Sequence, residues 1–328
     1  MNVFLTFDYE LFFGSTTGTV QKCLIEPTNR LLEMSRKQNA PMTFFVDIGY
    51  IIALERQLNE FKILKMDYDL VIDQIQEMIV AGCDVQLHIH PHWEKSHFDG
   101  EKWQIVTKNA YKLADFDSIK KENIIRTYKA KLDAIIGRKT HTFRAGGWCI
   151  QPFDQLEKLF VELDIKYDSS VFPGGHFEAG EYSFDFRNTP TKDRYRFQND
   201  VCLENENGFF TEIPISSYRY SPLFYWRLYI LGRLNPTAHK MIGDGIFMSQ
   251  PGRKKQVLTH FTWNHASTDG FYATKMSKIT ENALKKKQNN LVFIGHPKSC
   301  TLYSLALLNR YMAKFKNSLH FTTFHTIS

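Results

Sequence analysis

The 328-residue chain lacks a disulfide framework, a long apolar run, an internal repeat and a low-complexity tract. Its five cysteines, Cys23, Cys83, Cys149, Cys202 and Cys300, are odd in number, widely spaced and contain no CxxC pair, which excludes a stapled scaffold. No apolar run approaches the roughly 18 residues that a spanning helix needs. The opening MNVFLTFDYE has no basic segment leading into an apolar one, so no secretory signal is expected and the expected address is the cytoplasm. An excess of either charge is small too. Lys and Arg number 41 against 35 Asp and Glu, and the resulting +6 is too small to imply a nucleic-acid partner.

Aromatics, by contrast, are plentiful at 14%, with 27 Phe, 15 Tyr and 5 Trp, which suits an aromatic core or a surface on which sugars stack. Short β-branched and aromatic runs at Val3–Phe7, Met42–Val46, Val85–His88, Thr142–Arg144, Ile165–Tyr167, Phe209–Ile213, Val257–Phe261, Leu291–Ile294 and Leu319–Thr322 read as strands. Helix-period segments lie between several of them, at Cys23–Gln38, Leu70–Val80, Asp117–Ile136, Pro152–Leu163, Met276–Lys287 and Thr301–Lys316. Alternation of this kind predicts an α/β fold with a parallel sheet, and the number of units favours a barrel with its chemistry at the C-terminal strand ends. Residues 1–328 are expected to form a single domain, with His92–Asp115 and Phe172–Asn207 as long loops over the barrel mouth.

Several strand ends carry groups able to do chemistry. In Thr6-Phe7-Asp8-Tyr9-Glu10 a strand runs into two carboxylates suited to metal ligation or base catalysis, or simply to a solvated loop. In Leu87-His88-Ile89-His90-Pro91-His92-Trp93, three of the twelve histidines fall within five residues, a density that favours zinc or a similar ion. If the chain stays extended, His88, His90 and His92 share one face; if it turns at Pro91, His88 and His92 can close on one ion. Arg144-Ala145-Gly146-Gly147-Trp148 places an arginine where it can pair with Asp8, and Phe293-Ile294-Gly295-His296-Pro297 ends another strand in a histidine.

In this order the segments resemble the motifs of the polysaccharide deacetylase family, carbohydrate esterase family 4, over roughly residues 1–300. The resemblance implies a distorted (β/α)7 barrel that removes N- or O-acetyl groups from sugars with a divalent metal, most simply zinc. Thr6-Phe7-Asp8 matches the start of the first motif, but Tyr9 stands where the family has a second, metal-ligating aspartate, so that role moves to Glu10. The His-three residues-His motif falls on His88 and His92, with His90 as the alternative; the next motif falls on Arg144 to Gly147, and another on Tyr167-Asp168-Ser169-Ser170-Val171-Phe172-Pro173. The implied roles are metal ligation by Glu10, His88 and His92, a base in Asp8 held by Arg144, and an acid in His296 oriented by Asp168. A backbone N–H near Gly146 would meet the oxyanion, and Trp93 and Trp148 would stack on the sugar or wall the pocket. The substrate would be an amino-sugar glycan or its lipid- or nucleotide-linked precursor. Rival readings are a carbohydrate-binding relative without turnover, a metal-free amidohydrolase acting on a cyclic amide, and a cysteine enzyme using Cys149, which has no helix start to lower its pKa.

Residues 219–255 stand apart. They hold seven Lys and Arg against one acid, Asp244, and so account for the whole net charge. Within them Pro222–Leu234 is helix-length and almost wholly apolar, which suits a buried barrel helix or a helix lying in a membrane interface, and is too short to span one.

Overall fold

The computed structural model describes residues 1–234, 236–249 and 252–327. Strand β1 (Asn2–Tyr9) is buried on both faces from Val3 on, as a strand covered on both sides is, and it lies within a parallel set. The others are β2 (Thr43–Asp47), β3 (Asp84–Ile89), β4 (Thr142–Ala145), β5 (Tyr167–Asp168), β6 (Phe210–Glu212) and β7 (Asn290–Gly295). They pair side by side in the order β7-β1-β2-β3-β4-β5-β6, so consecutive strands are spatial neighbours, as repeated strand–helix units require. Tyr195–Phe197 adds an antiparallel edge to β6, and His320–Thr322 pairs with the start of β1.

The result is the expected distorted (β/α)7 barrel, curled but without a ladder between β6 and β7. Single hydrogen bonds bridge that seam: Ser216 N–H donates to the Val292 carbonyl at 3.0 Å, Ala266 N–H to Ser216 at 2.6 Å and Ile294 N–H to Ala266 at 3.0 Å. A seam of this kind leaves the β7 end of the barrel open to insertions, and residues 217–275 enter there.

The described helices are α1 (Glu26–Gln38), α2 (Ile48–Gln57), α3 (Leu64–Val80), α4 (Ser118–Ile136), α5 (Asp154–Glu162), α6 (Pro222–Leu234), α7 (Arg253–Thr259), α8 (Met276–Lys285) and α9 (Leu302–Phe315). Helix α4 shows the local logic: Asp117 accepts from Lys120 N–H at its start, and Gly137, at φ 70°, ends it in the left-handed region. The expected strand Val257–Phe261 is instead mostly helix α7, with a strand at Thr262–His265. Its Val-Leu-Thr run has β character, but Val257 is drawn into a small apolar cluster with Tyr220, Phe224 and Tyr225, and packing overrides propensity. Helix α2 was not expected, because Ile48-Gly49-Tyr50-Ile51-Ile52 reads as a continuation of β2. Gly49 lets α2 approach the site: a Cβ there would lie 2.8 Å from the Trp93 ring. Asn235, Gln250 and Pro251 of the 219–255 segment lie outside the described residues.

Candidate active site

Alternation along β1 sets the first part of the site. Thr6, Asp8 and Glu10 face the barrel interior, whereas Tyr9 faces outward and donates its hydroxyl to Gln74 of α3 at 2.8 Å. The tyrosine is therefore part of the core, and the second carboxylate of the mouth is Glu10.

Arg144, at the end of β4, is fully buried, and each of its three guanidinium nitrogens has a hydrogen-bond partner. Its Nη1 donates to Asp8 Oδ1 at 2.6 Å and to the Thr6 hydroxyl at 3.0 Å, while Nε and Nη2 reach the carbonyl and hydroxyl oxygens of Ser169 at 2.8 and 3.1 Å. Its guanidinium also lies 3.9 Å over the Phe45 ring. Asp8 Oδ1 is thus fixed. Its Oδ2 faces two imidazoles, His88 Nε2 and His296 Nε2, each 3.9 Å away.

Beside this pair lies Glu10, with its two oxygens assigned to different partners. Oε1 accepts from Lys298 Nζ at 2.8 Å, and Oε2 faces His88 Nε2 at 3.1 Å and His90 Nε2 at 2.5 Å. Burial opposes ionisation of Glu10, but Lys298 and the two histidines outweigh it and hold its carboxyl well below the usual range. His88 places its Nδ1 2.8 Å from the Arg144 carbonyl, an orientation that leaves Nε2 for a ligand when the ring is neutral. Burial would lower the His88 pKa, but the carboxylates of Asp8 and Glu10 raise it above the ordinary value.

One ligand atom from each of Glu10, His88 and His90 lies within 4.8 Å of the other two. One carboxylate and two imidazoles form a donor set used by catalytic zinc sites, so these residues fit a divalent ion. His92, expected as the third ligand, is not in the group. The chain stays extended through His90 and turns as a 3-10 helix over Pro91–Glu94, so strand alternation keeps His88 and His90 on one face and the turn carries His92 away. His92 Nδ1 sits 3.3 Å from the Ser96 hydroxyl, and burial holds its imidazole well below the ordinary pKa. Gly146 supports His90 from the side, since a Cβ there would fall 2.6 Å from His90 Nδ1.

His296 follows β7 and faces the same space. Its expected partner, Asp168, is elsewhere, accepting from the Ser170 N–H and hydroxyl at 2.9 and 2.8 Å beside Glu212 of β6. The group that orients His296 is Asp269, whose Oδ2 lies 2.7 Å from His296 Nδ1 and whose Oδ1 accepts the His296 backbone N–H at 2.8 Å. Burial would lower the His296 pKa, but Asp269, Glu10 and Asp8 together raise it.

Sequence reasoning missed Asp269, which sits in a turn-rich loop without a strand pattern, and Lys298, although Lys298 follows His296-Pro297 directly. It also missed His265, a histidine on the Thr262–His265 strand whose Nδ1 is buried without a partner among the described residues. Burial pushes the His265 imidazole down to about 3, and its ring lies 4.9 Å from that of Trp148. Trp148 is half-buried at φ 61°, whereas Trp93 is fully buried and donates to Asp47 at 2.6 Å, so Trp93 walls the pocket and cannot stack on a ligand. Burial pushes the Cys149 thiol to about 12, which removes it as a nucleophile.

The sequence matches no family model and no curated protein. Among solved structures, a protein described as a polysaccharide deacetylase from Mycobacterium smegmatis superposes with a TM-score of 0.54 at 16% identity, over 99% of this chain and 88% of that one. An allantoinase superposes at 0.51 with 12% identity, over 99% and 88% of the two chains. A protein described as a probable polysaccharide deacetylase from Pseudomonas aeruginosa PAO1 gives 0.50 at 11% identity, over 99% and 89%. At these identities the likeness is one of fold: the chain has the barrel of the polysaccharide deacetylase structures, a barrel that an allantoinase has too.

Proposed function

We propose that the protein is a hydrolase that removes an acetyl group, N-linked, from a sugar in a polysaccharide or in a lipid- or nucleotide-linked precursor. The observation that carries this reading is the convergence, at one barrel mouth, of a fixed carboxylate (Asp8 on Arg144), a carboxylate–imidazole cluster (Glu10, His88, His90) and a carboxylate-backed imidazole (His296 on Asp269). Glu10, His88 and His90 would hold a divalent ion, zinc by its donor set, which when bound supplies a water of pKa about 7 and a polarised carbonyl.

Arg144 holds Asp8 Oδ1, so Oδ2 is the oxygen left to accept the proton of an attacking water. His296 protonates the departing amine at Nε2, since an amide anion is too basic to leave unaided, and Asp269 keeps the ring turned toward the mouth. Lys298 holds Glu10 through one oxygen and leaves the other toward the histidines. The turn at Gly146, packed on His90, would offer a backbone N–H to the oxyanion. Trp148 and His265 form an aromatic wall on which a sugar can stack. A cytoplasmic address fits a precursor substrate.

The test is acetate release from N-acetylated oligosaccharides by zinc-loaded protein. Asp8→Asn is expected to lower kcat by at least about 10²-fold with the fold intact by circular dichroism. Near wild-type turnover by that variant would overturn the assignment. One observation favours a second reading: the Lys298 ammonium on Glu10 is a fixed positive charge, as a metal-free amidohydrolase acting on a cyclic amide would need. Activity that survives complete chelation would select it.

A further inference from the structure

We propose that the outward face of α6 is a docking surface for an anionic phospholipid membrane. The helix has two apolar faces. Phe224 and Tyr225 are buried against Tyr220 and Val257, and this cluster stands apart from the main core. On the opposite side Leu223, Trp226, Ile230 and Leu234 are 60, 51, 52 and 74% exposed. At about 100° per residue these four fall on one arc, and Arg227 and Arg233 flank it on either side. A helix buried in the barrel wall would not leave that arc bare, and a solvated helix would not fill it with leucine, isoleucine and tryptophan.

Charge selects the occupant. The seven Lys and Arg of residues 219–255 form no ion pair among the described residues, whereas Arg30, Arg126 and Lys131 of the barrel helices each pair with a glutamate. The segment's one acid, Asp244, is turned away onto the Thr19 N–H and hydroxyl at 2.8 and 2.9 Å. Arg227 and Arg233, without a carboxylate partner on either flank of an exposed apolar arc, match phosphate headgroups above acyl chains. No described helix is long and apolar enough to cross a membrane, so the contact is peripheral. Rings link the inner side of the helix to the site: Phe224 lies 5.2 Å from Tyr272, Tyr272 lies 6.0 Å from His265, and His265 lies beside Trp148. Docking through α6 therefore brings the aromatic wall of the barrel mouth near the lipid surface.

The inference stands on the surface and is independent of the hydrolase reading. It is tested by flotation of the purified full chain with vesicles of phosphatidylcholine alone, or with about a third phosphatidylglycerol, at low and high salt. The chain is expected to float with the anionic vesicles at low salt and to be released by salt. Arg227→Glu with Arg233→Glu, and separately Trp226→Asp with Ile230→Asp, should each lower partitioning at least about tenfold with unchanged circular dichroism. Failure of the wild type to float with anionic vesicles, or undiminished flotation of both variants, overturns the proposal. So does a wild-type dimer in sedimentation velocity that Trp226→Asp with Ile230→Asp dissociates, because a second copy would then be the occupant of this face.

Discussion

Arg144 Nη1 lies 2.6 Å from Asp8 Oδ1 in a site where both residues are buried, and the same guanidinium is held by Thr6 and Ser169. The pair joins β1 to β4 across the barrel, so it is a structural brace as well as a restraint on the proposed base. Arg144→Met strands a buried carboxylate and should cost about 3–5 kcal/mol in urea unfolding. Arg144→Lys keeps the charge but loses the fork, and should recover only part of that stability. Equal stability of the methionine variant and the wild type would mean that Asp8 finds another partner.

The proposed ligand set makes a sharp distinction between neighbouring histidines. His88 and His90 both point Nε2 at Glu10 Oε2, while His92 is turned onto Ser96. Loss of an outer partner of a metal ligand typically costs about 10–100-fold in affinity, so loss of a ligand should cost more. Titration calorimetry with zinc on chelator-stripped protein should therefore show His90→Ala weaker by over about 100-fold and His92→Ala affected far less. The reverse order would restore the His88–His92 pairing.

Asp269 touches His296 and no position at which substrate chemistry is proposed, so it is a positioning residue. Asp269→Asn should lower kcat on an N-acetyl sugar by about 10²-fold with KM nearly unchanged. An aryl acetate, whose phenolate leaves without an acid, should be hydrolysed at close to the wild-type rate. Equal losses on both substrates would mark the change as a general disturbance of the mouth.

What the sequence made legible follows from periodicity. The strand pattern identified the barrel, and alternation along β1 already distinguishes Asp8 and Glu10 from Tyr9. The pairing of Arg144 with Asp8 was legible because both close apolar strands whose C-terminal ends must meet. That His92 falls outside the Glu10–His88–His90 group was not legible, because the turn at Pro91 depends on how the His90–Trp93 segment packs on Gly49, which no local pattern encodes. Asp269 reaches His296 from 27 residues away through a loop, so its role appears only once β7 and that loop are placed together. The outward apolar face of α6 is a third such case: the run of apolar residues was plain, but the side left uncovered depends on α7 and Tyr272 filling the other.

The displacement of Asp168 from its expected role leaves it in a second buried pair, with Glu212 opposite it in the β5–β6 register. Glu212 is fully buried, its Oε1 accepts from Val171 N–H at 3.3 Å, and burial followed by the Asp168 carboxylate beside it raises its pKa well above the ordinary carboxylate value. An unfolded glutamate titrates near pH 4.3, so above that pH the folded protein retains a proton that the unfolded chain releases. Stability from this group is thus fully present below that pH and falls as pH rises toward the folded-state value. Glu212→Gln removes the titration, keeps a carbonyl for Val171 and offers Asp168 a donor. Its urea midpoint should exceed that of the wild type at neutral pH, by more than about 1 kcal/mol in free energy, and the difference should shrink as pH is lowered toward 5. A difference that is constant between pH 5 and 8 would show that Glu212 does not hold its proton in the folded barrel.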